Sequence, residues 1–231
     1  MKDTFLTYDF NPDSTLNYFI QVPEKHTSHL KNFYTLLIDL AQTEDEIWQN
    51  IYHRTRAEIK SFINNTTFEH TVYYNLSNTE LQKFTELYNT FAKKKNIRPA
   101  ETQRLRAYHS AGILAVSFIK QDNAYLSVNF YRITTQRAAN IYSFRPEQHG
   151  HKYSASHLGK AHRTLHWLDL KEFKKLDIQF YDFCGWYEGN ENKELLNINA
   201  FKEQFTSNKV LEYTGVIYKN PVLRFLKNIT K

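Results

Sequence analysis

The chain carries a single cysteine, Cys184, and a single methionine among its 231 residues. One thiol excludes an intrachain disulfide and fits a chain that folds in a reducing compartment. Glycine and proline are scarce, at 6 and 5 residues, which excludes collagen-like and Gly/Pro-rich low-complexity classes. No apolar run approaches the roughly 18 residues needed to cross a bilayer, so no membrane insertion is expected. The first residues, MKDTFLTYDFNPD, include acids and lack an apolar core. They predict no signal peptide, and hence a cytoplasmic protein. No G-x-S-x-G, G-x-G-x-x-G or H-E-x-x-H pattern occurs, which removes the usual serine hydrolase, dinucleotide and zinc protease signals. Long Lys/Arg runs and arginine-glycine segments are missing too. The net charge of +6 therefore permits anionic ligands without pointing to DNA.

What is present describes a folded chain with a large sheet. Apolar residues make up 41% and aromatics 16%, mostly Tyr and Phe, which suits β-structure and a proper core. The length fits one domain with an extension, or two small ones. No internal repeat is visible.

One further absence is local. From Gln148 to Leu168 there is no acidic residue, while His149, His151, His157, His162 and His166 occur beside Lys152, Lys160 and Arg163. A polar loop carrying Gly159 is expected to run into a long helix here, followed by a buried strand over Ile178 to Phe183. The first N–H groups of a helix lack intrahelical partners and attract anions. Cations there oppose the helix dipole by a few tenths to about 1 kcal/mol each. Either an anion such as phosphate meets them, or the helix start is simply basic and solvated. His162 and His166 stand four apart on one helical face, but no third ligand is near, so no metal site is expected.

In chain order, Pro12 and Pro23 mark turns, with a strand conceivable only at Thr4 to Asp9. Phe33 to Leu40 reads as a buried strand. Thr43 and Glu46 form a capping box that opens a helix ended by Asn64 and Asn65. His70 to Leu76 reads as a strand. Ser77 then caps a helix along Leu81, Phe84, Leu87, Tyr88 and Phe91, with Lys93, Lys94 and Lys95 in the last turn, where cations suit the dipole. Pro99 begins a short helix through His109. Three strands follow, Ile113 to Lys120, Tyr125 to Ile133 and Ala138 to Phe144, joined by short polar connectors. After the long helix and its strand come a helix, Asn197 to Phe205, and a final strand, Val210 to Tyr218.

From His70 to Tyr218 this order resembles the GNAT acyltransferase fold, an α/β (α+β) architecture with a central mixed, mostly antiparallel sheet flanked by helices. The segments S-A-S-H-L-G-K-A-H-R-T-L-H-W, Y-D-F-C-G-W, N-I-N-A-F-K-E-Q-F and V-L-E-Y-T-G resemble the C-terminal catalytic half of Fem-type (peptidoglycan-bridge) aminoacyltransferases. L-L-I-D-L, T-E-D-E-I-W and R-T-R-A-E-I-K resemble the segment that leads into it. The likeness divides the chain into an N-terminal extension, residues 1–66, and a GNAT-like domain, residues 67–231.

The resemblance implies an N-acyltransferase that uses acetyl-CoA or another acyl-CoA on a small-molecule amine acceptor, such as a nucleotide-linked amino sugar of a cell-envelope precursor. It also carries the alternatives of an aminoacyl-transfer-RNA donor or a non-catalytic binding module, and leaves a homo-oligomer open. Ser156, His157, Leu158, Gly159, Lys160 and Ala161 take the place of the family's pyrophosphate loop, with Arg163 beside it. Ser156 stands where Gln or Arg is usual, and Thr206, Ser207 and Asn208 replace a glycine pair. The fourth strand of the fold, here Tyr142, Ser143 and Phe144, would polarise the thioester through its backbone. Acyl transfer needs a neutral amine, donors for the oxyanion and a proton for the leaving group. Asp182, at a strand end, is the first candidate base; its other reading is a structural acceptor that ties down the Gly185 loop. His109 and His166 are the alternatives. Tyr181 and Tyr187 could protonate a leaving thiolate. Cys184 reads as a buried small residue and not as a nucleophile.

Overall fold

A computed structural model describes residues 16–25, 30–146 and 152–218. Eight strands form one sheet: β1 (Leu16–Val22), β2 (Lys31–Asp39), β3 (Glu69–Tyr73), β4 (Leu114–Gln121), β5 (Ala124–Ile133), β6 (Arg137–Phe144), β7 (Phe180–Gly185) and β8 (Lys209–Tyr218). Six helices accompany them: α1 (Glu44–Asn50), α2 (His53–Asn65), α3 (Asn78–Lys95), α4 (Thr102–Ser110), α5 (Ala155–Lys175) and α6 (Lys193–Glu203). The strand order is β1-β8-β2-β7-β6-β5-β4-β3. Every pairing is antiparallel except β6 with β7. The expected GNAT-like architecture is the one observed.

Local chemistry sets most helix starts. At α1, Thr43 Oγ1 accepts from the Glu46 N–H while Glu46 accepts from the Thr43 N–H, a reciprocal cap. Ser77 and Glu80 repeat it at α3, which ends on Asn96 in the left-handed conformation. The helix expected from Thr43 to Asn64 is broken in two. Ile51 and Tyr52 are extended, because the Tyr52 N–H is drawn to the Gln204 carbonyl at 2.8 Å and Ile51 is buried. Helical propensity yields there to tertiary contacts.

The sheet is covered on both faces. Helices α1, α2 and α5 pack on one, around Leu36, Ile38, Tyr131, Trp167, Phe173 and Tyr181. Helices α3 and α4 cover the other, around Phe84, Tyr88, Leu105, Phe118 and Phe130. Period-two alternation sends Phe118 one way and Ile119 the other.

Two expectations need correcting. Strand β1 was not anticipated, and the strand expected at Thr4 to Asp9 lies outside the described residues. The stretch ahead of residue 67 is also no appendage to the sheet. Strand β2 lies between β7 and β8 and pairs with both, so the boundary at 66/67 falls inside one hydrogen-bonded sheet. Burial of Leu36, Leu37 and Ile38 explains why an apolar run forms an interior strand.

Candidate active site

Strands β6 and β7 are the parallel pair, and they stay together only briefly. Arg137, Ala138 and Ala139 pair with Phe180, Tyr181 and Asp182, and beyond that no pairing continues. The cause lies on the other side of β6. Phe130 pairs with Tyr142 and Tyr131 with Asn140, so Ile141 has no opposite residue on β5. Such a bulge bends a strand and increases its twist. Beyond Ala139 the β7-facing edge of β6 has no strand partner, and a cleft of about 430 Å³ opens there.

Helix α5 roofs the cleft with His162, Arg163 and His166, and α6 closes its side with Phe201 and Lys202. Lys95 and Arg145 complete a lining with four cationic side chains and, among the described residues, no carboxylate. Arg163 is anchored by Glu58 at 3.1 Å and Gln204 at 2.9 Å, and lies over the Phe201 ring. The Lys202 ammonium donates to the Cys184 carbonyl at 3.0 Å and to the Gly185 carbonyl. Burial lowers its pKa from the ordinary lysine value.

Both histidines are held neutral. Burial depresses His166 to about 4. His162 is also driven well below its usual range, by burial first and then by His166 and nearby arginines. Their Nε2 atoms converge on Ser143 Oγ, at 3.3 Å for His162 and 3.2 Å for His166. Ser143 donates to Asn129 Oδ1 at 2.6 Å, and His162 Nδ1 meets Ser127 Oγ at 2.7 Å. Behind His166 runs a buried polar chain. Its Nδ1 lies 2.5 Å from the Tyr181 hydroxyl, which lies 2.9 Å from the Tyr131 hydroxyl, and Tyr131 donates to Asp169 at 2.7 Å.

The candidates named from sequence are only partly brought together. His166, Ser143, Phe144, Gly159 and Arg163 line the cleft. Asp182 does not. It is fully buried on the opposite face of the sheet, where Arg137 at 3.0 Å, Gln21 at 2.6 Å, Thr35 and the Cys184 N–H at 2.6 Å all donate to it. That last bond supports a left-handed Cys184 with φ of 54°. These contacts are those of the structural acceptor. Arg137 also grips Glu212 through two nitrogens. His109 sits on α4, its Nε2 2.6 Å from the Leu76 carbonyl, in a groove between α3 and α4.

The expected phosphate loop is corrected as well. Ser154 caps α5 by accepting from the His157 N–H, so Ser156 to Ala161 are already helical and Gly159 is no loop residue. His157 meets Gln121, Lys160 reaches Ser61, and Leu158 and Ala161 pack against the core. Ser156 is exposed at the helix start. The Tyr142 side chain points to the α4 side, where its hydroxyl accepts from the Glu101 N–H at 2.9 Å. Cys184 is partly buried with its thiol pKa driven up by burial, which disfavours a thiolate nucleophile. Tyr181 is fully buried behind His166 and does not line the cleft, while the Tyr187 backbone is tied to Asn199. His149 and His151 lie outside the described residues.

Sequence reasoning overlooked Lys202, although it lies within the N-I-N-A-F-K-E-Q-F segment that carries the resemblance. It also overlooked Asp169, the first acid after the acid-free stretch. Among the described residues no cluster of three His, Cys, Asp or Glu side chains suits a metal, and no helix is long and apolar enough to cross a membrane.

No family model and no curated protein sequence matches the chain. Solved structures do match. FemX is similar with a TM-score of 0.62 at 12% identity, over 92% of this chain and 68% of that one. The C-terminal domain of a putative lysylphosphatidylglycerol synthetase from Agrobacterium fabrum follows with 0.56 and 10%, over 88% and 66%. L-PGS from Bacillus licheniformis gives 0.53 and 10%, over 86% and 65%. The chain thus spans about two thirds of the length of these proteins. At such identities the likeness establishes a fold shared with these proteins.

Proposed function

We propose that the chain is an N-acyltransferase whose activated acyl group lies between the parted ends of β6 and β7. The observation that carries this reading is the cleft itself, a gap in the sheet lined by Lys202, Arg163 and the neutral His166. An acyl donor threaded there meets the unpaired edge of β6, where backbone N–H groups can polarise a carbonyl. Cationic lining without carboxylates suits a polyanionic carrier. The donor is acetyl-CoA or another acyl-CoA, and the acceptor is a small-molecule amine, such as an amino sugar of a cell-envelope precursor.

In this reading the neutral His166 takes the proton of the attacking amine. Lys202 faces the developing oxyanion as the nearest movable cation. The fold similarity to FemX favours a second donor, the aminoacyl ester of a transfer RNA, which the same cationic mouth would accept.

Isothermal titration of the full chain with coenzyme A, acetyl-CoA and charged transfer RNA at low salt separates the donors. Binding of acetyl-CoA is expected. Binding of transfer RNA alone would transfer the reading to the ester donor, and binding of neither would overturn acyl transfer. Free thiol release from acetyl-CoA across a panel of amines then identifies the acceptor.

A further inference from the structure

We infer that a one-way hydrogen-bond relay, His166–Tyr181–Tyr131–Asp169, fixes His166 as its Nδ1–H tautomer and leaves the Nε2 lone pair as the base that faces the cleft. Asp169 is the fixed end. Ser117 at 2.6 Å, Asn129 at 3.0 Å and Tyr131 at 2.7 Å converge on its Oδ2, and His70 Nε2 meets Oδ1 at 2.9 Å. Four donors around one carboxyl fit an acceptor-only carboxylate.

The other protons follow in turn. Asn129 must aim its amide nitrogen at Asp169, so its Oδ1 faces Ser143 and takes the Ser143 proton. Tyr131 gives its proton to Asp169 and accepts from Asn129 at 2.9 Å. The Tyr131–Tyr181 contact, 2.9 Å, then needs the Tyr181 proton. The His166–Tyr181 contact, 2.5 Å, is left to be filled from His166 Nδ1. The opposite tautomer would set the two tyrosine oxygens at 2.9 Å with no proton between them, a buried clash of lone pairs. His166 is 1% exposed and neutral, with a pKa depressed to about 4, so it carries one ring proton. With Nδ1 taken, Nε2 is bare. Its 3.2 Å approach to the Ser143 oxygen, whose proton is committed elsewhere, is the looser of the two proton-free contacts and lies at the cleft lining, whereas the tyrosine pair is closer and fully buried. His70 places the far end of the chain near solvent, its side chain 20% exposed.

The catalytic consequence rests on the acyl-transfer reading. As the amine nitrogen bonds to the acyl carbon, its proton moves to His166 Nε2. As the carbon–sulfur bond breaks, the electron pair leaves with sulfur and the proton passes from Nε2 to that thiolate. Nδ1 keeps its proton throughout. His166 is the catalytic residue, and Tyr181, Tyr131 and Asp169 are positioning residues that orient the ring and stabilise the transient imidazolium.

Long-range ¹H–¹⁵N correlation of the imidazole nitrogens in the ¹⁵N-labelled full chain tests the relay without any substrate. The His166 signals, assigned by their loss in His166→Gln, are expected to show the Nδ1–H pattern at neutral pH. Tyr181→Phe removes the acceptor at Nδ1 and is expected to convert His166 to the Nε2–H pattern, with the fold checked by circular dichroism. An Nε2–H pattern in the wild-type chain, or an Nδ1–H pattern that survives Tyr181→Phe, would overturn the inference. The acyl-transfer reading fails separately: a chain with the Nδ1–H pattern that turns over no acyl donor would sink that reading and leave the relay standing.

Discussion

Tyr181 and Asp182 are neighbours on β7 and face opposite sides of the sheet, Tyr181 toward His166 and Asp182 toward Arg137. One step along a strand separates the cleft from a closed ionic cluster. Asp182→Ala therefore removes the acceptor shared by Arg137, Gln21, Thr35 and the Cys184 N–H, with Glu212 still holding Arg137, and should cost about 1–3 kcal/mol of stability. His166→Gln should keep the melting temperature near that of wild type and lower kcat by about 10²–10⁴-fold, the scale of a lost general base. Melting curves and turnover on both variants check the contrast. A stable Asp182→Asn with a selective loss of kcat would reverse the assignment.

Acid should weaken the fold through the buried histidines. An unfolded chain binds protons at His162 and His166 as the pH falls through about 6.5. Folded His166 resists protonation until about 4, and burial holds His162 down as well. The unfolded state thus binds more protons in this window, and stability falls as the pH drops from about 6.5 to 4. His166 alone accounts for on the order of 3 kcal/mol. Urea unfolding at stepped pH should show this slope, reduced in His166→Gln.

Lys202→Met and Arg163→Met should act differently. Lys202 hydrogen-bonds carbonyls at the cleft wall, so its loss should lower kcat by about 10²–10³-fold, as for a removed oxyanion donor. Arg163 is braced by Glu58 at the cleft mouth. Its loss should raise the donor Kd several-fold and flatten the salt dependence of binding. Steady-state kinetics and titrations at two ionic strengths separate the two effects.

A fragment comprising residues 67–231 should not fold. Without β2, strand β8 loses its bonds to the rest of the sheet, and the β7 edge facing it is bared. Circular dichroism of that fragment should show no cooperative melt, whereas supplying residues 1–66 in trans should restore one.

Local chemistry was legible in the sequence. The capping boxes at Thr43 and Ser77 set their helices because both partners lie within one turn. The short polar connectors between β4, β5 and β6 marked the hairpins, and the strand bounds fell within a residue or two at either end. Pattern could not say which strand would sit beside which, since apolar burial is non-directional. So β2 read as a lead-in and proved to be interior. The Gly159 segment read as a loop because glycine disfavours helix by about 1 kcal/mol; the Ser154 cap and the burial of Ala161 and Leu165 outweighed it. The surroundings of the candidate bases were set only by tertiary structure. By residue type Asp182 came first and His166 was an alternative, and the pairing of each with other residues, Arg137 for one and Tyr181 for the other, sent them to opposite faces. Sequence determines which side chains carry chemistry; the neighbours that set their protonation lie tens of residues away and meet them only in the folded sheet.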